Sequence, residues 1–200
     1  NMISLHLEKL YRYPRYMEPM WVAVPVRKGR ISDVSGVRVC DGADVLPSQT
    51  KVTARYDDGS VRFLFTRFEG NLPGNSRKDF ALFLDEEDLR AYKTECVSAE
   101  GERLPEESAS GMTDFEGINT MHDRDGFTVD TGAVSFSVRN YSDGLFESLS
   151  HGGRLYEKGQ FKGPYLRDAS GTFYEMNLNR WRIVEEGPVC TILAADGYNE

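Results

Sequence analysis

Along most of this chain apolar side chains recur at every second position in short runs, and turn-forming residues separate one run from the next. A strand sends alternate side chains to opposite faces, so each run must bury one face against another layer. Ile3, Leu5 and Leu7 alternate in this way. WVAVPV (21–26), GVRVC (36–40), two arms within KVTARYDDGSVRFLF (51–65), and RKDFALFL (77–84) follow. Pro25 lacks an amide hydrogen, which predicts an edge strand or a bulge. NLPGNS (71–76) reads as a loop from its Gly, Pro and Asn content. The one helical candidate, EEDLRAY (86–92), is short and reads equally as a lead-in to a strand.

The segment Lys51–Phe65 predicts a hairpin. Asp58 and Gly59 suit the positive φ of a tight turn, since Gly has no Cβ and Asp tolerates the left-handed region. Closing there sets Tyr56 opposite Val61, Ala54 opposite Phe63 and Val52 opposite Phe65, which makes one face wholly apolar. The other face then carries Arg55 opposite Arg62, with Thr53 opposite Leu64 and Lys51 opposite Thr66. Two adjacent guanidiniums repel, so a neighbouring acid, solvent or a bound carboxylated ligand must compensate them.

Composition changes at SAEGERLPEESASGMTDFEG (98–117), which is acidic and nearly free of periodic apolar positions. The expected organisation is an all-β unit over 1–97, a linker or long loop over 98–125, and a second antiparallel β unit over 126–200. In that second unit GFTVDT, AVSFSVRN, GLFESL, RLYEKG, GPYLRD, TFYEMNLNRWRIVEE and GPVCTILAA are separated by Ser142-Asp143-Gly144, Gly152-Gly153 and Ser170-Gly171. No βαβ alternation and no repeat is found, and the second unit is expected to be incomplete at Glu200.

Charge narrows the partners. With 24 Lys+Arg against 32 Asp+Glu the net charge is −8, a field that repels nucleic-acid backbones and anionic lipid. No apolar run reaches the roughly 20 residues a helical membrane span needs. Cys40, Cys96 and Cys190 are odd in number, widely spaced, and not at metal-ligand spacing from any His, so nothing supports a zinc site. Three reduced thiols, and the lack of a secretory pattern in ISLHLEKL after Met2, point to the cytoplasm. A cleaved signal ahead of Met2 would leave the same residues, so secretion stays open.

Three motifs bear on chemistry. Asp130-Thr131-Gly132 matches the aspartic-protease loop, where two carboxylates share a proton, but the chain has a single copy and would have to act as a dimer. The structural alternative is a turn in which Asp130 and Thr131 bond local amides and Gly132 supplies positive φ. His6, His122 and His151 are scattered and form no constellation, and both Gly-rich phosphate signatures are absent, so no cofactor is expected. LYRYPRYMEPMW (10–21) packs tyrosines, arginines and a tryptophan together. Aromatic faces stack on sugar rings and guanidinium forks match carboxylates, which makes Arg12, Tyr13, Arg15, Tyr16 and Trp21, with Arg55 and Arg62, candidate contacts for an acidic polysaccharide or oligosaccharide. The competing expectation turns those rings inward to plug a barrel end. Trp181 and Tyr165 carry the same ambiguity.

Residues 22–65 resemble the N-terminal domain of the exo-rhamnogalacturonan lyase and YetA-like family. The resemblance rests on Val24-Pro25, Lys28-Gly29, Val37 to Val39, Leu46-Pro47-Ser48-Gln49, and the hairpin Tyr56-Asp57-Asp58-Gly59-Ser60-Val61-Arg62-Phe63, where Tyr56 and Phe63 stand in place of the family's tryptophans. FTVDTGAVSFSV, LFESLSHGG and VEEGPVCTILAADG look like the opening of that family's following β-sandwich domain. The resemblance implies a small RIFT-related β-barrel followed by an antiparallel sandwich, all-β throughout. It also implies a polysaccharide-lyase-like protein acting by β-elimination at a galacturonate, with its catalytic domain C-terminal to these regions. No catalytic residue of that chemistry maps onto this sequence. The implied role is scaffold and carbohydrate positioning, and the alternative is a free-standing carbohydrate-binding module.

Overall fold

The structure, a computed structural model, describes residues 2–8, 11–99, 117–157 and 164–199, with the side chains of 95–99 excepted. Two compact units divide the chain, Asn1–Met112 and Thr113–Glu200. The described residues form four antiparallel sheets and one helix. Most of the stretch read as a linker, 100–116, lies outside the described residues.

In the first unit the strands are β1 (Met2–Leu7), β2 (Arg15–Pro25), β3 (Arg38–Asp41), β4 (Asp44–Val45), β5 (Ser48–Arg55), β6 (Val61–Leu72) and β7 (Lys78–Phe83), followed by α1 (Glu86–Ala99). They pair as β1-β7-β3-β4 and β2-β6-β5. No ladder among the described residues joins the two sheets into the closed barrel expected from the sequence; they share one core instead. Val39, Phe80 and Leu82 come from the first sheet, Val24, Val61, Leu64, Phe68 and Leu72 from the second, with Ile3, Leu5 and Leu7 packed against them. Pro25 ends the edge strand β2, where its missing amide hydrogen is harmless.

The hairpin corrects the sequence reading. Ala54 faces Phe63 as expected, but Val52 faces Leu64, Lys51 faces Phe65 and Arg55 faces Val61. The register slips between Val52 and Ala54 and again between Ala54 and Arg55, so Thr53 on β5 and Arg62 on β6 are each an extra residue. A bulge exchanges the two faces of a strand. Beyond Arg62 the core therefore receives Leu64, Thr66 and Phe68, while Phe63, predicted buried, is 38% exposed. Thr66 is the only polar member of that inward row, and its hydroxyl meets Thr50 Oγ1 at 2.9 Å. The turn is as expected only in part: Gly59 has φ +83°, but Asp58 does not take positive φ and instead accepts from the Ser60 amide and hydroxyl at 3.0 and 2.6 Å.

The helix is the second correction. It runs to Ala99, because Leu89 and Tyr92 find an apolar seat on Cys40, Ala81 and Phe83 that no local pattern reveals. Asp85 caps it, accepting the Asp88 amide at 2.9 Å and the Arg30 guanidinium at 2.6 Å. That amide first, and Arg30 second, hold the Asp85 carboxyl below its ordinary range. A depressed folded-state value gives stability that is present above the ordinary carboxylate range and is lost as pH falls through the depressed one. Asp85→Ala is thus expected to cost about 1 kcal/mol near neutral pH. Thermal unfolding of both proteins should show the gap narrowing in strong acid.

The second unit contains β8 (Asn119–Asp123), β9 (Gly126–Asp130), β10 (Val134–Arg139), β11 (Ser148–His151), β12 (Arg154–Glu157), β13 (Tyr165–Arg167), β14 (Phe173–Glu185) and β15 (Ile192–Asn199). Strands β8 to β12 form a five-stranded meander, and β13-β14-β15 form a second sheet. Val138, Leu178 and Trp181 are the buried centre between them, joined by Phe127, Phe136 and Phe146. A bulge after Leu178 puts both Leu178 and Trp181 on the core side of β14, and the Asn140 side chain bonds the Trp181 amide there at 2.8 Å.

Candidate functional site

Strand pairing sorts the β2-β6-β5 sheet into rows. Met20, Phe68 and Ser48 share a row, as do Val22, Thr66 and Thr50, and these rows face the core. The alternate rows face outward: Trp21, Arg67 and Gln49; Ala23, Phe65 and Lys51; Pro25, Phe63 and Ala54; with Pro19 opposite Glu69. Trp21 is 69% exposed on this face. Phe65 lies one row away from it, a diagonal distance of about 7–8 Å.

Cations frame these rings. Arg67 sits 5.0 Å and Lys51 5.6 Å from the Phe65 centroid, and Arg62 lies 5.8 Å from the Phe63 and Tyr56 rings. Glu69 is the acid of the face. Its half-buried carboxyl is pushed up by desolvation, and among the described residues it has no ion-pair partner. Among the described residues the face carries Arg62, Arg67 and Lys51 beside the Glu69 carboxyl, on a chain whose net charge is −8. Rings, guanidiniums, an amide and a carboxyl on one face of a sheet can stack against a sugar's C–H face while pairing with its hydroxyl and carboxylate groups.

Of the residues singled out in the sequence, Trp21 lies on this face and Arg62 at its edge. Tyr16, 72% exposed, stands at a bulge in β2 where Met17 takes φ +49° and donates its amide to Asn71 Oδ1. Arg12, Tyr13 and Arg15 gather instead around the loop that leads into β2. The Arg12 guanidinium lies 4.8 Å from the Tyr13 ring, Arg15 lies 5.3 Å from the Tyr11 ring, and Arg15 pairs with Glu18. The tyrosines at 11, 13 and 16 and Trp21 all point to solvent, so the expectation of rings plugging a barrel end is overturned.

Arg55 does not belong to the face. Because Arg62 is the bulged residue, the two guanidiniums are not paired across the ladder. Arg55 Nη1 donates to the Ser32 and Gly59 carbonyls at 2.7 Å each, which gives its charge local acceptors. Sequence reasoning missed Gln49, Lys51, Phe63, Phe65, Arg67 and Glu69. The signal was present in VRFLFTRFEG: Arg67 and Glu69 share their parity with Phe63 and Phe65, which turns that set outward.

Asp130 accepts the Gly132 amide at 2.9 Å, and Thr131 and Val134 exchange hydrogen bonds, closing the turn between β9 and β10. Trp181 is buried and Tyr165 exposed against Phe173. Among the described residues no three His, Cys, Asp or Glu side chains converge as a metal site, and no helix is long and apolar enough to cross a membrane. No protein-family model matches the chain, and no curated protein matches it in sequence.

Proposed function

We propose that this chain is the non-catalytic β region of a polysaccharide-lyase-like protein of the pectin or rhamnogalacturonan type, and that it positions an acidic oligosaccharide on the outer face of β2-β6-β5. The observation that carries this reading is Trp21, exposed beside a Phe65 ring flanked by Arg67 and Lys51. Sugar rings offer apolar C–H patches to such aromatics, and uronate carboxylates suit the guanidinium fork. The same proposal reads the first unit as an open relative of the RIFT barrel and the second as the start of a sandwich. Support for it is that two antiparallel sheets enclose one apolar core in each unit.

Calorimetric titration with oligogalacturonides tests the reading. Saturable binding is expected, and it should weaken as salt rises from about 0.05 to 0.5 M, because the charge pairs are solvent-exposed and the screening length shrinks. A neutral galactan oligomer should bind more weakly and without that salt dependence. No binding at millimolar ligand, or equal binding of the neutral oligomer, would leave the face without the proposed role.

A further inference from the structure

Charge on the outer face of β2-β6-β5 is separated along the strands. Trp21 stands opposite Arg67, and its diagonal neighbours on β6 are Phe65 toward one end and Glu69 toward the other, each about 7–8 Å away. The Arg67 guanidinium lies 5.0 Å and the Lys51 ammonium 5.6 Å from the Phe65 centroid, so both cations gather at the Phe65 end.

Glu69 is the charge of the opposite end. Pro19 is its partner on β2, and on the β5 side its amide donates to the Pro47 carbonyl at 3.1 Å. Proline side chains offer no donor, and among the described residues the half-buried Glu69 carboxyl has no ion pair and no side-chain hydrogen bond. Desolvation accordingly pushes it up from its ordinary value. Such a carboxylate is a strong acceptor for a hydroxyl and a poor neighbour for a second anion.

A uronate ring has two halves of matching character. Its carboxylate is borne on C5, and in a 1,4-linked chain the free hydroxyls on C2 and C3 lie across the ring from it. We propose that Glu69 sets the direction in which the sugar lies: the ring resting on Trp21 turns its carboxylate to Arg67 and Lys51 and its hydroxyl pair to Glu69. Glu69 is then a positioning residue, and the acid that sits unpaired in the fold is paired by the ligand. This inference rests on the reading of the face as a site for an acidic oligosaccharide and adds the orientation of the ligand on it.

Calorimetry with trigalacturonate and with its trimethyl ester, at low salt and near neutral pH, separates the two ends. Glu69→Ala is expected to weaken both ligands by the same factor, about tenfold, because esterification leaves the hydroxyls in place. Glu69→Gln keeps the size of the side chain and one acceptor oxygen, and should lose only about threefold. Arg67→Gln should weaken the acid and leave the ester unchanged. All three should melt with the parent, since the Glu69 carboxyl has no partner in the fold and Arg67 lies on the outer face. A parent that does not bind trigalacturonate overturns the reading of the face and this inference together. A parent that binds it while Glu69→Ala binds it equally or more tightly overturns the inference alone, as does a loss at Glu69→Ala seen with the acid and not with the ester.

Discussion

Leu64→Ala is expected to destabilise the first unit by about 3 kcal/mol, whereas Phe63→Ala, one residue away and the larger truncation, should cost under about 1 kcal/mol. The contrast comes from the bulge at Arg62. It places Leu64 in the shared core with no exposed surface, packed with Val24, Val39 and Phe80, and leaves Phe63 38% exposed on the outer face. Removing Leu64 leaves a cavity that the two sheets cannot collapse around without sliding past one another. In urea the Leu64→Ala midpoint should fall by about 1.5 M for a slope near 2 kcal/mol/M, and Phe63→Ala should stay within a few tenths of a molar of the parent. Equal losses would restore the unbulged register, in which Phe63 and Phe65 are the buried pair.

Trp21→Ala is the second large effect, and it falls on binding instead of stability. The indole is the most extensive apolar surface on the proposed carbohydrate face and is 69% exposed, so its removal leaves no cavity. Loss of a stacked ring costs about 2 kcal/mol, some thirtyfold in Kd for an oligogalacturonide, while the melting temperature changes little. Arg67→Gln should give a smaller loss that disappears at high salt, because what it removes is a screened charge. Arg55→Gln should leave binding unchanged, since Arg55 is turned to the carbonyls of Ser32 and Gly59.

Alternation made the strands legible. Ile3, Leu5 and Leu7, the run at 36–40 and the run at 77–84 fall in β1, β3 and β7, because a period of two is a local property that the ladder preserves. Polarity of the β6 faces was harder to read. Counting out from the turn assigns the buried set, and a single extra residue at Arg62 reverses every side chain after it. Charge placement at Arg67 and Glu69 is the stronger guide, since a core tolerates a hydroxyl paired as Thr66 is with Thr50 more easily than two ionised groups. The length of α1 was not legible at all. Leu89 and Tyr92 acquire their apolar partners from β3 and β7, more than a dozen residues away for Cys40, so the helix owes its extent to tertiary packing.

The candidate site was half legible for the same reason. Composition drew attention to 10–21, and Trp21 does lie on the exposed face. Its neighbours there come from β5 and β6, joined by pairing of Trp21 with Arg67 and of Phe65 with Lys51, which no linear motif encodes. Arg55 and Arg62 were tied to one another by an assumed register, and the bulge separates them.

The most direct test follows the Trp21 indole N–H in a 15N-labelled sample titrated with an oligogalacturonide at low salt. A saturable shift of that signal, which Arg67→Gln weakens at low salt and leaves unchanged at high salt, is the expected result. A Trp21 signal that stays fixed at millimolar ligand, or a titration in which the Trp181 signal alone moves, would contradict carbohydrate positioning on the outer face of β2-β6-β5.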